Sequence, residues 1–337
     1  MSDPRVIAWE LQDASYNPPI QKNTDSSSLV STAAPSTSQL DETRELDVQP
    51  GGQYRAHTKL YINFSRTDDT AWRIATGFLI TPSIIATAAH NVFALSPLAP
   101  AAQIKAYIGY RGSASVAERY TQFRSGKKTV IPEGWVTSRG AIRRDNVAFI
   151  QLDRPFEGVT CVRYAYAPGT GAGEVEVAGY AADREDPGTR EFGGVVWSVN
   201  SNISYNLTRE GLMSYTPIDS GGGLVGAPVL RTSDNYAIAV HAFGGAPNLA
   251  VPIGPKGHDF DAYIKALEGP LKPDQLFAFP LSTPEKSRSV DVADVARAFP
   301  KTSQSVWTTQ GSTMIAWWAG YVAAGVMLAR WLGRAKR

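Results

Sequence analysis

From about Gly52 onward the chain is a succession of short apolar runs: "KLYINF", "TGFLIT", "IKAYIGY", "VAFIQL", "EVEVAGY", "GGVVWSV", "APVL" and "YAIAVHAF". Each run is bounded by Gly, Pro, Asp, Asn or Ser. Several alternate apolar with polar positions, the period-two mark of a strand with one buried face. Because no helical repeat separates them, the pattern predicts an all-β domain, a sandwich or barrel, rather than a parallel α/β sheet. One helix is expected near the end, in "DFDAYIKALEGP", where Phe260, Tyr263, Ile264 and Leu267 share a face and Gly269-Pro270 stops it.

The flanks follow a different pattern. Residues 1–51 include a stretch rich in Ser, Thr, Asp, Pro and Ala that has too few large apolar groups to offset chain entropy, so a disordered leader is expected there. The folded domain is placed at 52–270 and a connector at 271–305. An apolar run at 306–330, uncharged as far as Arg330, is followed by a basic tail at 331–337. Its length, with Trp317 and Trp318 inside and Trp331 and Arg330 at its end, fits a membrane-spanning helix. A buried or amphipathic helix is the alternative. The first thirty residues hold no apolar signal core, so the expected arrangement is a single C-terminal anchor with the main domain in the cytosol.

Composition narrows the function classes. The 33 lysines and arginines nearly match the 31 aspartates and glutamates, so no basic field marks a nucleic-acid partner. The single cysteine, Cys161, excludes an intrachain disulfide, and no Cys/His spacing suggests zinc. His57 and His258 stand in no metal-ligand pattern, Arg143-Arg144 reads as a solvated turn, and no phosphate-binding Gly loop is present. No cofactor is expected.

Three places carry candidate chemistry. "TGFLITPSIIATAAHNVF" puts His90 on a small-residue turn after two strands, and "RRDNVAFIQL" puts Asp145 just ahead of a strand. "YTPIDSGGGLVGAPVL" contains a Gly-rich turn with Ser220. An imidazole, a carboxylate to orient it and a Gly-rich turn with free amides are the parts that acyl transfer to a serine requires. Each alone is equally well a turn or core residue.

Taken in order, five segments resemble the chymotrypsin-fold serine peptidases, within them the glutamyl endopeptidase branch, over about Thr58 to Leu267. These are the His90 segment, "DNVAFIQL", "VEVAGYAAD", the Gly-rich turn and "AVHAFGG". The resemblance implies a double β-barrel, with His90 as the base and Asp145 as the orienting acid. In the favoured register Gly222-Gly223 and Gly226-Ala227-Pro228-Val229 match the nucleophile loop, so Val225 stands where the branch has its serine. The competing register makes Ser220 the nucleophile through "DSGG". It puts Ile218 where a glycine supplies an oxyanion amide and leaves Gly226 to Val229 without a role.

The favoured register implies a chain that cannot attack a carbonyl, since valine has neither lone pair nor proton to give. It also implies an oxyanion turn made by the amides of Gly223 and Val225. Ser220, His241 and Gly244 would line a pocket for an acidic side chain, with Leu224 and Val225 bulkier than the branch's residues. The expected ligand is a peptide or partner protein. The alternatives are an active endopeptidase cleaving after acidic residues, and a structural module at a membrane.

Overall fold

The computed structural model describes residues 5–18, 41–68, 70–167, 170–216, 223–254 and 258–268. Ser220, the connector at 271–305, the apolar run at 306–330 and the basic tail lie outside these residues. The described chain forms β1 (Val6–Glu10), β2 (Asp41–Glu42), β3 (His57–Asn63), β4 (Trp72–Thr81), β5 (Ile84–Thr87), β6 (Phe93–Leu95), β7 (Leu98–Pro100), β8 (Gln103–Ile108), β9 (Gln122–Pro132) and β10 (Ala148–Leu152). It continues through β11 (Arg163–Tyr164), β12 (Thr170–Tyr180), β13 (Val196–Leu207), β14 (Met213–Thr216), β15 (Pro228–Arg231), β16 (Tyr236–Phe243) and β17 (Asn248–Pro252). The helices are α1 (Ala89–Val92), α2 (Glu133–Thr137) and α3 (Phe260–Glu268), the last where the sequence places it. No helix among the described residues is long and apolar enough to cross a membrane.

Two closed barrels of six strands result. The first runs β9-β10-β5-β4-β3-β8 and closes through β8 with β9. The second runs β16-β15-β12-β13-β14-β17 and closes through β16 with β17. Closure leaves few free edges, which suits strands this apolar. In β3 both faces are buried. Thr58 and Leu60 point at the barrel interior, where a Cβ on Gly77 would meet Thr58 Oγ1 at 2.8 Å and Leu60 Cδ1 at 3.1 Å. By the period-two rule His57, Lys59 and Tyr61 face the other way. On that side Tyr61, Tyr107, Tyr110, Ala178 and Tyr180 form one apolar cluster joining β3 and β8 to β12.

Lys59 is the unusual member of that face. It is 0% exposed, and its Nζ donates to the carbonyls of Phe192 and Gly193 at 3.1 and 2.6 Å. The ammonium also lies 4.5 Å from the Tyr110 ring centroid and 4.8 Å from that of Tyr61. Burial pushes its pKa down to about 7, against the upward pull of Glu191 and Asp186.

The expected leader is only partly a leader. Residues 5–18 are integrated into the first barrel: β1 pairs antiparallel with β9, from Val6 opposite Pro132 to Glu10 opposite Lys128. Trp9 is buried with its Nε1 donating to Ala101 O, Lys105 Nζ donates to Asn17 O, and Tyr16 donates to Val116 O. Residues 41–50 add β2 against β13. The sequence average over 1–51 hid the short apolar run "VIAW", which is long enough for one edge strand.

His57 is 1% exposed, and neither ring nitrogen has a hydrogen-bond partner. Burial pushes its pKa down to about 4. The unfolded chain therefore binds more protons between pH about 6.5 and 4, so this group's stability contribution is complete above about 6.5 and is lost as pH falls towards 4. His57→Phe removes the unpaired nitrogens and keeps the edge contact with the Tyr54 ring. Thermal melts should give a Tm at neutral pH equal to or above wild type, with a shallower fall between pH 6.5 and 4.

Candidate functional site

His90 is set by local geometry. β5 ends at Thr87, Ala88 is extended, and the single turn of α1 then lifts His90 out of the sheet. The Thr87 hydroxyl donates to Thr76 O at 2.7 Å and accepts from Asn91 Nδ2 at 2.9 Å, which fixes α1 to the barrel. The ring lies 6.1 Å from Phe243, nearly parallel at 28°, and 6.5 Å from Trp135.

The partner of His90 is not Asp145. Asn146, 0% exposed, accepts the His90 backbone N–H through Oδ1 at 3.0 Å and has both amide atoms within reach of Nδ1, Nδ2 at 2.8 Å and Oδ1 at 3.1 Å. Nδ2 is the nearer of the two amide atoms to Nδ1, and an amide N–H placed there requires Nδ1 to accept. Nδ1 is then an acceptor, and the ring proton sits on Nε2. A carboxylate would do the reverse, accepting from Nδ1–H and leaving Nε2 free to take a proton. Burial, helped by the charge of Arg73 and opposed by the Asn146 bond, pushes the His90 pKa down to about 4.

Asp145 is engaged elsewhere. Its Oδ1 lies 3.5 Å from His258 Nε2 and 3.8 Å from Arg144 Nε, and its Oδ2 sits against Gly134, where a Cβ would be 1.9 Å away. His258 Nε2 donates to Arg144 O at 2.9 Å and its Nδ1 pairs with the Tyr263 hydroxyl at 2.7 Å. His258, which no sequence pattern singled out, thus pairs α3 to the turn beside His90. Choosing Asp145 was a slip of one position. The carboxylate is the more familiar partner type, but Asp145 ends the single 3-10 turn Arg143–Asp145 and faces His258, while Asn146, at the C-terminal cap of that turn, is buried and reaches His90. Arg143 also departs from the solvated-turn reading, because its guanidinium packs 4.2 Å from the Phe243 ring centroid.

The Gly-rich turn is clamped between the barrels. Val225 O accepts from Asn91 Nδ2 at 3.3 Å and from Thr76 N at 3.4 Å. Gly226 has φ +93°, and a Cβ there would lie 2.1 Å from Thr76 O, so only glycine fits. Gly226 N donates to His241 O and His241 N to Ala227 O, both at 2.8 Å. Val225 is half-buried next to α1, whereas Leu224 is fully buried in the second barrel's core rather than in the cleft.

Among the described residues the amides of Gly223 and Val225 donate to no acceptor, as an anion-accepting turn requires. The Asp183 carboxyl lies against Gly223, however, 1.8 Å from where a Cβ would be, and an acidic group there disfavours a second negative charge. His241 is 0% exposed and its Nδ1 meets the Tyr215 hydroxyl at 2.6 Å. Burial, with a smaller contribution from His90, pushes its pKa down to about 4. Gly244 follows β16 at the cleft and is half-buried. No cluster of three or more His, Cys, Asp or Glu suited to a metal exists among the described residues.

With both barrels and the cleft between them in view, the solved structures can be compared. A Glu endopeptidase in complex with MPD matches at 20% identity and TM-score 0.53, covering 68% of this chain and 96% of that one. The fold is a chymotrypsin-like double β-barrel. GrC matches at 15% identity and TM-score 0.49, covering 68% of this chain and 98% of that one. The protease Anisep from Arthrobacter nicotinovorans matches at 16% and 0.47, covering 64% and 96%. No protein-family model and no curated protein matches the chain.

The Asn146 contact gives a direct observable. Nitrogen-15 spectra of the His90 ring should show a proton on Nε2 and none on Nδ1 at neutral pH, with no titration until about pH 4. In Asn146→Asp the proton should move to Nδ1 and the pKa should rise, because a carboxylate favours the imidazolium. A Nδ1–H signal in wild type would refute the assignment.

Proposed function

We propose that this chain is a binding protein built on a peptidase fold, with hydrolysis lost at two points. Val225, in the register adopted from the resemblance, supplies no nucleophile, and Asn146 supplies no carboxylate to His90. The observation that carries this reading is the Asn146 carboxamide on Nδ1. With Nε2 protonated, the imidazole is a donor where catalysis needs a base, and an asparagine there costs about 10^4 in kcat when the rest of a serine triad is intact. The two losses reinforce one another, since a base without a nucleophile and a nucleophile without a base are each inert.

The ligand we assign is an extended peptide or a peptide-like segment of a partner protein. β15 pairs with β16 only as far as Val240, and past His241 that side of Ala242, Phe243 and Gly244 carries no strand among the described residues. An unpaired edge of this kind takes an added strand. Beside it, the Tyr215 hydroxyl meets His241 Nδ1 at 2.6 Å and fixes the imidazole next to the proposed pocket. Ser220 would add a hydroxyl. The C-terminal apolar run would tether this module to a membrane, and in flotation assays the full chain should bind phosphatidylcholine vesicles while a 1–270 fragment should not.

The decisive experiment uses peptides cleavable after glutamate. Wild type, Val225→Ser and Asn146→Asp should each stay at background, and only Val225→Ser with Asn146→Asp together should turn over, at least about 10^3 above either single variant. Activity in wild type, with fluorophosphonate labelling of Ser220 that is lost in His90→Ala, would instead establish the active-endopeptidase alternative.

A further inference from the structure

Two arginines near His90 pack against aromatic rings, and among the described residues neither has an acidic partner. Arg143 is half-buried, its guanidinium carbon 4.2 Å from the Phe243 centroid. The same ring stacks with His90 and belongs to the open edge of β16. The next residue, Arg144, faces Asp145, which is also shared with His258, so that acid is already committed. No hydrogen-bond acceptor or ion pair engages the Arg143 guanidinium among the described residues. Arg73 repeats the arrangement at 4.8 Å from the Phe64 centroid, three residues before Thr76, whose amide holds the Val225 carbonyl. It too has no acidic partner among the described residues, and its charge reaches the His90 ring.

A guanidinium packed on a ring has given up rotamer freedom in advance while keeping its N–H fork for a planar anion. The geometry points to Arg143 as the specificity residue for an acidic side chain on a peptide laid along Phe243 and Gly244, with Arg73 favouring a second acidic residue. The assignment rests on the peptide-binding reading above and adds the partner's chemistry. The ligand is a segment with acidic residues at several positions, not merely one in the pocket next to His241. Charge complementarity selects this partner over an apolar one. A carboxylate reaching Arg143 forms a bidentate, charge-assisted pair, whereas an apolar residue there would cover the guanidinium and leave its donors unmet.

The test is fluorescence polarisation of the full chain with a fluorescein-labelled octapeptide alternating Glu and Ala, against the same peptide with Gln for Glu. Wild type should bind the Glu peptide at least about tenfold more tightly. Arg143→Ala should remove most of that preference, leave Gln-peptide affinity unchanged and keep the wild-type melting profile. Arg143→Lys, which retains charge but loses the fork, should fall between, and Arg144→Ala should retain the preference. Equal binding of both peptides, or a preference that survives Arg143→Ala, overturns the assignment while leaving the peptide-binding reading in place. Binding of neither peptide by any variant overturns both.

Discussion

The carbonyl of Val225 is the point on which the two barrels depend. It accepts from Thr76 N in β4 and from Asn91 Nδ2 in α1, both in the first barrel, although it belongs to a turn of the second. A buried acceptor with two donors is expensive to break, since each orphaned group would bear its own desolvation cost. The neighbouring Gly226 tightens the constraint by letting Thr76 O approach where any side chain would collide. Thr76 is shared further, its hydroxyl accepting from Tyr180 N at 2.9 Å. Position 225 is therefore held by its backbone, and the side chain it carries is free to differ without disturbing the joint between barrels.

The proposed loss of hydrolysis relies on that separation of scaffold from chemistry. The fold needs Gly226, Thr76, Asn91 and the buried strands. Hydrolysis would need in addition a hydroxyl at 225 and a carboxylate at 146. Asn146 has almost the volume of an aspartate and accepts the His90 backbone N–H at 3.0 Å, so the position of His90 does not depend on a carboxylate. The ring packs beside Phe243 and Trp135.

Much of the fold was legible because apolar runs with β-branched residues and turn punctuation are local signals. The two-barrel closure came only from resemblance, since strand order is not written in any one run. His90 was placed correctly at a strand end. Asp145 was not His90's partner, because the choice between adjacent residues depends on which way the chain emerges from the turn at Arg143 to Asp145, and composition favours the carboxylate. The strand Val6–Glu10 was lost in a polar average, and Lys59 and His57 were unremarkable in sequence because a buried cation or an unpaired imidazole is made by what folds over it. The pairing of His258 with Asp145 joins residues far apart in sequence and carries no local trace.

The pairing of β1 with β9 also bears on the order of assembly. The partner of β1 is Lys128 to Pro132, and β9 is itself completed by β10. Contacts of such long sequence separation carry a loop-closure cost before they return any stability, and they slow folding. During synthesis β1 must wait, apolar and unpaired, until β9 has followed it. It is thus among the last strands of the first barrel to find its place, and "VIAW" is where a chaperone or an errant neighbouring chain would have its opportunity.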